Sequence, residues 1–81
     1  MNQPVKYPQF RKYINDMAYF KIVSESEWEE IQVMGKRYSI HLFTAKILPD
    51  RNFIYDLTYD YERNWLEIEE EEYERIKSNV I

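Results

Sequence analysis

The chain has 81 residues, 44% hydrophobic and 17% aromatic, with a net charge of −4 and no cysteine. That length holds one small domain over 1–81, and the apolar content is too high for a disordered segment. The missing cysteine excludes a disulfide framework, a thiolate metal site and a cysteine nucleophile, and no run approaches the ~20 apolar residues of a membrane span.

Residues 1–7 read as a flexible arm, and MNQPVKYPQFRKY contains no apolar h-region, so a cytoplasmic protein is expected. Pro8 followed by Phe10, Tyr13, Ile14 and Met17 has the spacing of one helical stripe and predicts a short helix over 8–15. Residues 17–23 are rich in aromatic and β-branched side chains and predict the first strand. Ser24 and Glu27 then form an S-x-x-E capping-box pattern, with Trp28 and Ile31 on one face beyond it. They predict a helix over 25–34, closed by Gly35, the only glycine, in a left-handed terminal position.

Residues 37–47 and 52–59 predict two arms of a β-hairpin, because Pro49-Asp50 between them suits the centre of a type I turn. A polar connection over 60–64 leads to a short strand over 65–68. A last helix over 70–79 puts Tyr73, Ile76 and Val80 on one face.

Residues 20–32 line up without a gap on residues 65–77, each copy an apolar run, then glutamates, then an aromatic three residues before an isoleucine. The repeat predicts a strand leading into an acidic helix, used twice. The resulting order is (α)-β-α-β-β-β-α, an α+β two-layer sandwich. It has an antiparallel meander of three strands plus one further strand, and helices on one face. From residue 25 onward that order resembles the double-stranded RNA-binding domain in topology alone. Residues 69–72, all glutamate, stand where that family places phosphate-gripping lysines, so the resemblance implies no function here.

Residues 25–35 hold four glutamates and no base, and residues 64–81 hold six against Arg75 and Lys77, so the acidity is local and no basic stripe for a duplex is visible. The run at 67, 69–72 and 74 suits a helix start facing solvent, because successive helical carboxylates diverge and do not converge on a metal. Phe53, Tyr55, Leu57, Tyr59 and Tyr61 alternate with Asn52, Ile54, Asp56, Thr58 and Asp60 and predict one face of a strand, either core or contact surface. With the basic arm, that ladder supplies the alternative of single-stranded nucleic-acid binding by stacking. His41 beside Asp56 on a neighbouring strand is the one general-base pairing the hairpin allows, and Ser24 is accounted for as a cap. With one glycine, phosphate-cradling loops are excluded.

Trp65 and Leu66 must face opposite sides of their strand, so an exposed Trp65 would be an interface anchor. Strand 17–23 has Tyr19 and Val23 opposed to Phe20 and Ile22, and strand 37–47 has Tyr38, Ile40 and Leu42 opposed to Phe43, Ala45 and Ile47. Such two-sided strands need cover on both faces, from the N-terminal segment or a second copy of the chain. The expectation is a non-enzymatic protein–protein interaction domain that is able to form a homodimer. Its expected surface is Trp65, Tyr55, Tyr59, Tyr61, Glu70 and Glu71. No cofactor, metal, nucleic-acid or membrane partner is expected.

Overall fold

The computed structural model describes residues 5–80. The chain is α+β: a five-stranded antiparallel sheet and two helices. In chain order these are β1 (Gln9–Tyr13), β2 (Ala18–Ile22), β3 (Glu27–Met34), β4 (Arg37–Thr44), α1 (Leu48–Tyr59), β5 (Trp65–Glu67) and α2 (Glu70–Lys77). The sheet order is β4-β3-β2-β1-β5, so four consecutive strands form a meander and β5 returns to pair with β1. The meander extends one strand further than expected and uses different residues. The order (α)-β-α-β-β-β-α is replaced by β-β-β-β-α-β-α.

Three segments depart from expectation, each because a short stretch satisfies two periods at once. Over 8–15 there is a strand and no helix: Gln9, Arg11 and Tyr13 share one face, Phe10 and Lys12 the other. Alternation was hidden because the inward residue of the first face is Arg11, a type rarely buried. Over 25–34 the expected helix is β3, and Trp28 and Ile31 enter opposite faces of the sheet. Burying each contributes about 1.5–3 kcal/mol, whereas helix propensities among ordinary residues differ by a few tenths of a kcal/mol per position. The packing term decides.

Ser24 and Glu27 do interact, but they build a turn. The Val23 and Ser24 N–H groups both donate to the Glu27 carbonyl, at 3.0 and 3.2 Å, while Ser24 Oγ accepts from the Ser26 N–H at 3.3 Å. A short hydroxyl serves a hairpin bend as readily as a helix start. Gly35 has φ +65 as expected of a left-handed position, yet it opens the two-residue connection between β3 and β4. A positive φ at the first central residue is the requirement of a type II′ hairpin turn.

Over 48–59 the expected turn and strand are the helix α1. Pro49 sits in its first turn, and Asp50 Oδ2 accepts from the Lys46 and Ile47 N–H groups at 3.2 and 3.5 Å. Proline followed by aspartate suits a helix start as well as a turn. The odd-numbered aromatic ladder contains a helical stripe, Phe53, Leu57 and Tyr61, which with Ile54 and Thr58 faces the sheet. The strand at 65–68 and the last helix stand where expected, as β5 and α2.

Each face of the sheet carries one helix, which corrects the two-layer arrangement with helices on one side. On the first face Ala18, Phe20, Ile22, Trp28 and Trp65 pack with Ala45 and with Ile54 and Leu57 of α1. On the second, Phe10, Tyr19 and Ile31 pack against Tyr73 of α2, flanked by Ile76 and Val80. The expected two-sided strand 17–23, as β2, is thus covered on both faces by the chain's own helices, whereas the expected two-sided strand 37–47 is left without a buried residue over β4. Residues 1–4 of the expected arm lie outside the described residues, while Tyr7 packs against the first cluster.

Candidate interaction surface

The buried polar side chains Arg11, Thr58 and Tyr73 are held by structural bonds. Arg11 is 2% exposed and has no carboxylate partner among the described ion pairs. Its Nε donates to the Leu57 carbonyl at 3.1 Å and its Nη2 to the Thr58 carbonyl at 3.4 Å, while Nη1 donates to Phe10 O at 2.8 Å. Those α1 carbonyls belong to its last turn, which has no intrahelical donors for them, and the guanidinium also meets the negative end of the helix dipole. Its plane lies 4.0 Å over the Tyr61 ring. Burial lowers its pKa, opposed by Tyr61 and Glu67. On the other face the Tyr73 hydroxyl donates to Glu29 Oε1 at 2.7 Å, and Lys77 Nζ lies 3.3 Å from the same oxygen. Burial first, and the Glu29 carboxylate second, push the Tyr73 phenol well above its ordinary range.

The expected interaction residues do not form one patch. Trp65 is 5% exposed, stacked on Tyr13 at 5.7 Å, so the anchor expected there lies in the core; Leu66 is the exposed member of the pair. Tyr61 is half-buried beneath Arg11. Tyr55 and Tyr59 are exposed and pair with each other at 4.9 Å on the outer side of α1. Glu70 and Glu71 are exposed in the first turn of α2, on the opposite face of the sheet. Tyr55 and Tyr59 border a cleft of about 380 Å³ with Tyr7, Glu25 and Arg51.

His41 and Asp56 lose the geometry that suggested them, because Asp56 lies on α1 and not on a strand beside β4. The cross-strand partner of His41 is Glu30, and among the described residues no hydrogen bond joins His41 to a carboxylate. Residues 53–61 form helix and a following bend, so they offer no flat stacking platform. Among the described residues no group of histidine and carboxylate side chains is placed to hold a metal ion. Among the described residues no helix is long and apolar enough to cross a membrane.

Sequence reasoning passed over the outer edge of β4. This strand ends the sheet and is eight residues long, against three for β5 at the other edge. Beyond Arg37 at its start, the strand carries neither a formal charge at neutral pH nor a proline, and Ala45 after it continues the uncharged run. Leu42 is 69% exposed, with Phe43, Ile47 and Leu48 exposed nearby. A two-residue turn closes on a hydrogen-bonded pair, here Met34 and Arg37. By alternation residues 37, 39, 41 and 43 direct their main-chain groups to β3, and Tyr38, Ile40, Leu42 and Thr44 direct theirs outward. The Ala45 N–H, donating to Ser26 O at 2.7 Å, and the Val33 N–H, donating to Met17 O at 2.9 Å, fit that parity. The signal was present as an uncharged β-rich run, but a run does not tell which strand will be last in its sheet. No protein-family model, no curated protein and no solved structure matches the chain.

Proposed function

We propose that this domain works by protein–protein contact and not by catalysis, and that the contact is made along the outer edge of β4. The observation that carries the proposal is the eight-residue edge strand with uncharged residues from Tyr38 to Ala45 and with Leu42 standing in solvent. Unpaired main-chain groups on a long edge are a template for another strand, and folded proteins ordinarily blunt such edges with lysine, proline or a bulge. Strand addition takes affinity from main-chain bonds and selectivity from alternate side chains. The buried polar side chains Arg11, Thr58 and Tyr73 support the reading from the other direction, since each is engaged in holding helices to the sheet or in helix back-bonding.

The test compares wild type with Leu42→Lys, which places a charge on the edge at a side chain the fold does not bury. Proteins retained from a host lysate, this chain included, are identified by mass spectrometry. The proposal expects at least one specific partner held by wild type and lost by the variant. An identical set from both chains overturns it.

A further inference from the structure

We infer that the strand received by β4 is β4 of a second copy, paired antiparallel about a two-fold axis at His41; this rests on the edge of β4 being the working surface. An isologous pairing must match each residue with its own symmetry mate, so the edge has to be complementary to itself. The outward groups sit at Tyr38, Ile40, Leu42 and Thr44, a set centred between Ile40 and Leu42, at His41. Only with the axis there do all of these residues find a hydrogen-bonded mate, Tyr38 with Thr44 and Ile40 with Leu42, each twice over. About eight inter-strand bonds form, two for each outward pair. Moving the axis to Ile40 or Leu42 leaves one outward residue facing the turn or the chain beyond the strand.

The side chains agree with the same register. On the α2 face, Ile40 of each copy meets Leu42 of the other, which covers the most exposed large apolar side chain among the described residues. On the α1 face, Phe43 meets Ser39 and His41 meets its own copy. No formally charged side chain is brought opposite another within the strand. The one like-charge approach, Lys36 toward Lys46, lies beyond the strand ends, where both are exposed and solvent screens them. The two sheets become one of ten strands, with β5 as the short edge at either end.

The axis position makes a geometric demand that can be read directly, because the chain contains no cysteine of its own. Facing residues in a non-hydrogen-bonded antiparallel pair have Cα atoms about 4.5 Å apart, within the range a disulfide spans. His41→Cys should therefore cross-link to itself under mild oxidation, with more than half of the chain converted. Ser39→Cys should convert less than a tenth, since its two copies lie about 14 Å apart along the strand direction. The wild-type mass by light scattering should be near twice the 10.1 kDa of the chain, and that of Leu42→Lys near the single value. A monomeric wild type at high micromolar concentration overturns self-pairing, as does equal cross-linking of the two cysteine variants. If wild type is monomeric while some other protein still depends on Leu42 for capture, self-pairing falls and the edge reading stands. If neither is seen, both fall.

Discussion

Arg11 joins β1 to the end of α1 by donating to two carbonyls that no helix residue can reach. Replacing it with lysine keeps the charge but not the planar fork, so Arg11→Lys should lose about 1–3 kcal/mol of stability by urea unfolding. An unchanged midpoint would contradict the capping role. The buried indole N–H groups of Trp28 and Trp65 have no hydrogen-bond partner among the described residues. Trp65→Phe removes that unpaired donor along with some volume and should change stability by less than about 1.5 kcal/mol. Trp65→Ala opens a cavity and should cost about 3–5 kcal/mol. Equal losses in the two variants would mean that the indole N–H is bonded. Tyr73 carries a pH signature. Its phenol titrates higher in the folded state than the 10.0 of the free side chain, so its contribution is fully present below pH 10 and is lost as pH rises beyond it. Tyr73→Phe should flatten the fall in stability above pH 10, and an unaltered slope would place the alkaline sensitivity elsewhere.

At the level of elements, the two copies of the internal repeat show what a pattern alone settles. Residues 65–77 fold as strand then helix, as their glutamates and Tyr73–Ile76 spacing suggest; residues 20–32 fold as strand, turn and strand. The aromatic-x-x-isoleucine spacing is compatible with both, since in a strand it sends Trp28 and Ile31 to opposite faces and in a helix it keeps Tyr73 and Ile76 on one. What separates them is non-local: β3 has β2 and β4 as hydrogen-bonding neighbours, whereas the second copy follows β5 at a sheet edge and turns onto the second face. The strands at 18–22, 37–44 and 65–67 were legible as extended apolar runs rich in aromatic and β-branched residues, and the helix at 70–77 because one helical period dominates it. The strand at 9–13 was not, because its inward residue is an arginine whose acceptors lie 46 and 47 positions away. The proposed interaction surface was illegible for a related reason, since the outer edge of β4 is defined by sheet order. Gly35 was legible as a left-handed residue but not as a hairpin turn. A Cβ there meets nothing within 4 Å, so Gly35→Ala should cost only the backbone strain of the positive φ, about 1–3 kcal/mol by thermal melting. A larger loss would show that something packs on the turn.

For the whole molecule, a helix packs on each face of the sheet over its central strands, and the short β5 edge stands against a long bare edge at β4. On the proposed reading dimerisation finishes an edge and does not cover a face, and the partner surface it proposes is residues 38–44 in place of the expected Trp65, Tyr55, Tyr59, Tyr61, Glu70 and Glu71. Amide hydrogen exchange resolved along β4 reads that edge residue by residue. The account predicts that the Tyr38, Ile40, Leu42 and Thr44 amides exchange slowly at high concentration and freely on dilution, while Ser39, His41 and Phe43 stay protected by β3 throughout. Free exchange of the first group at every concentration would contradict it.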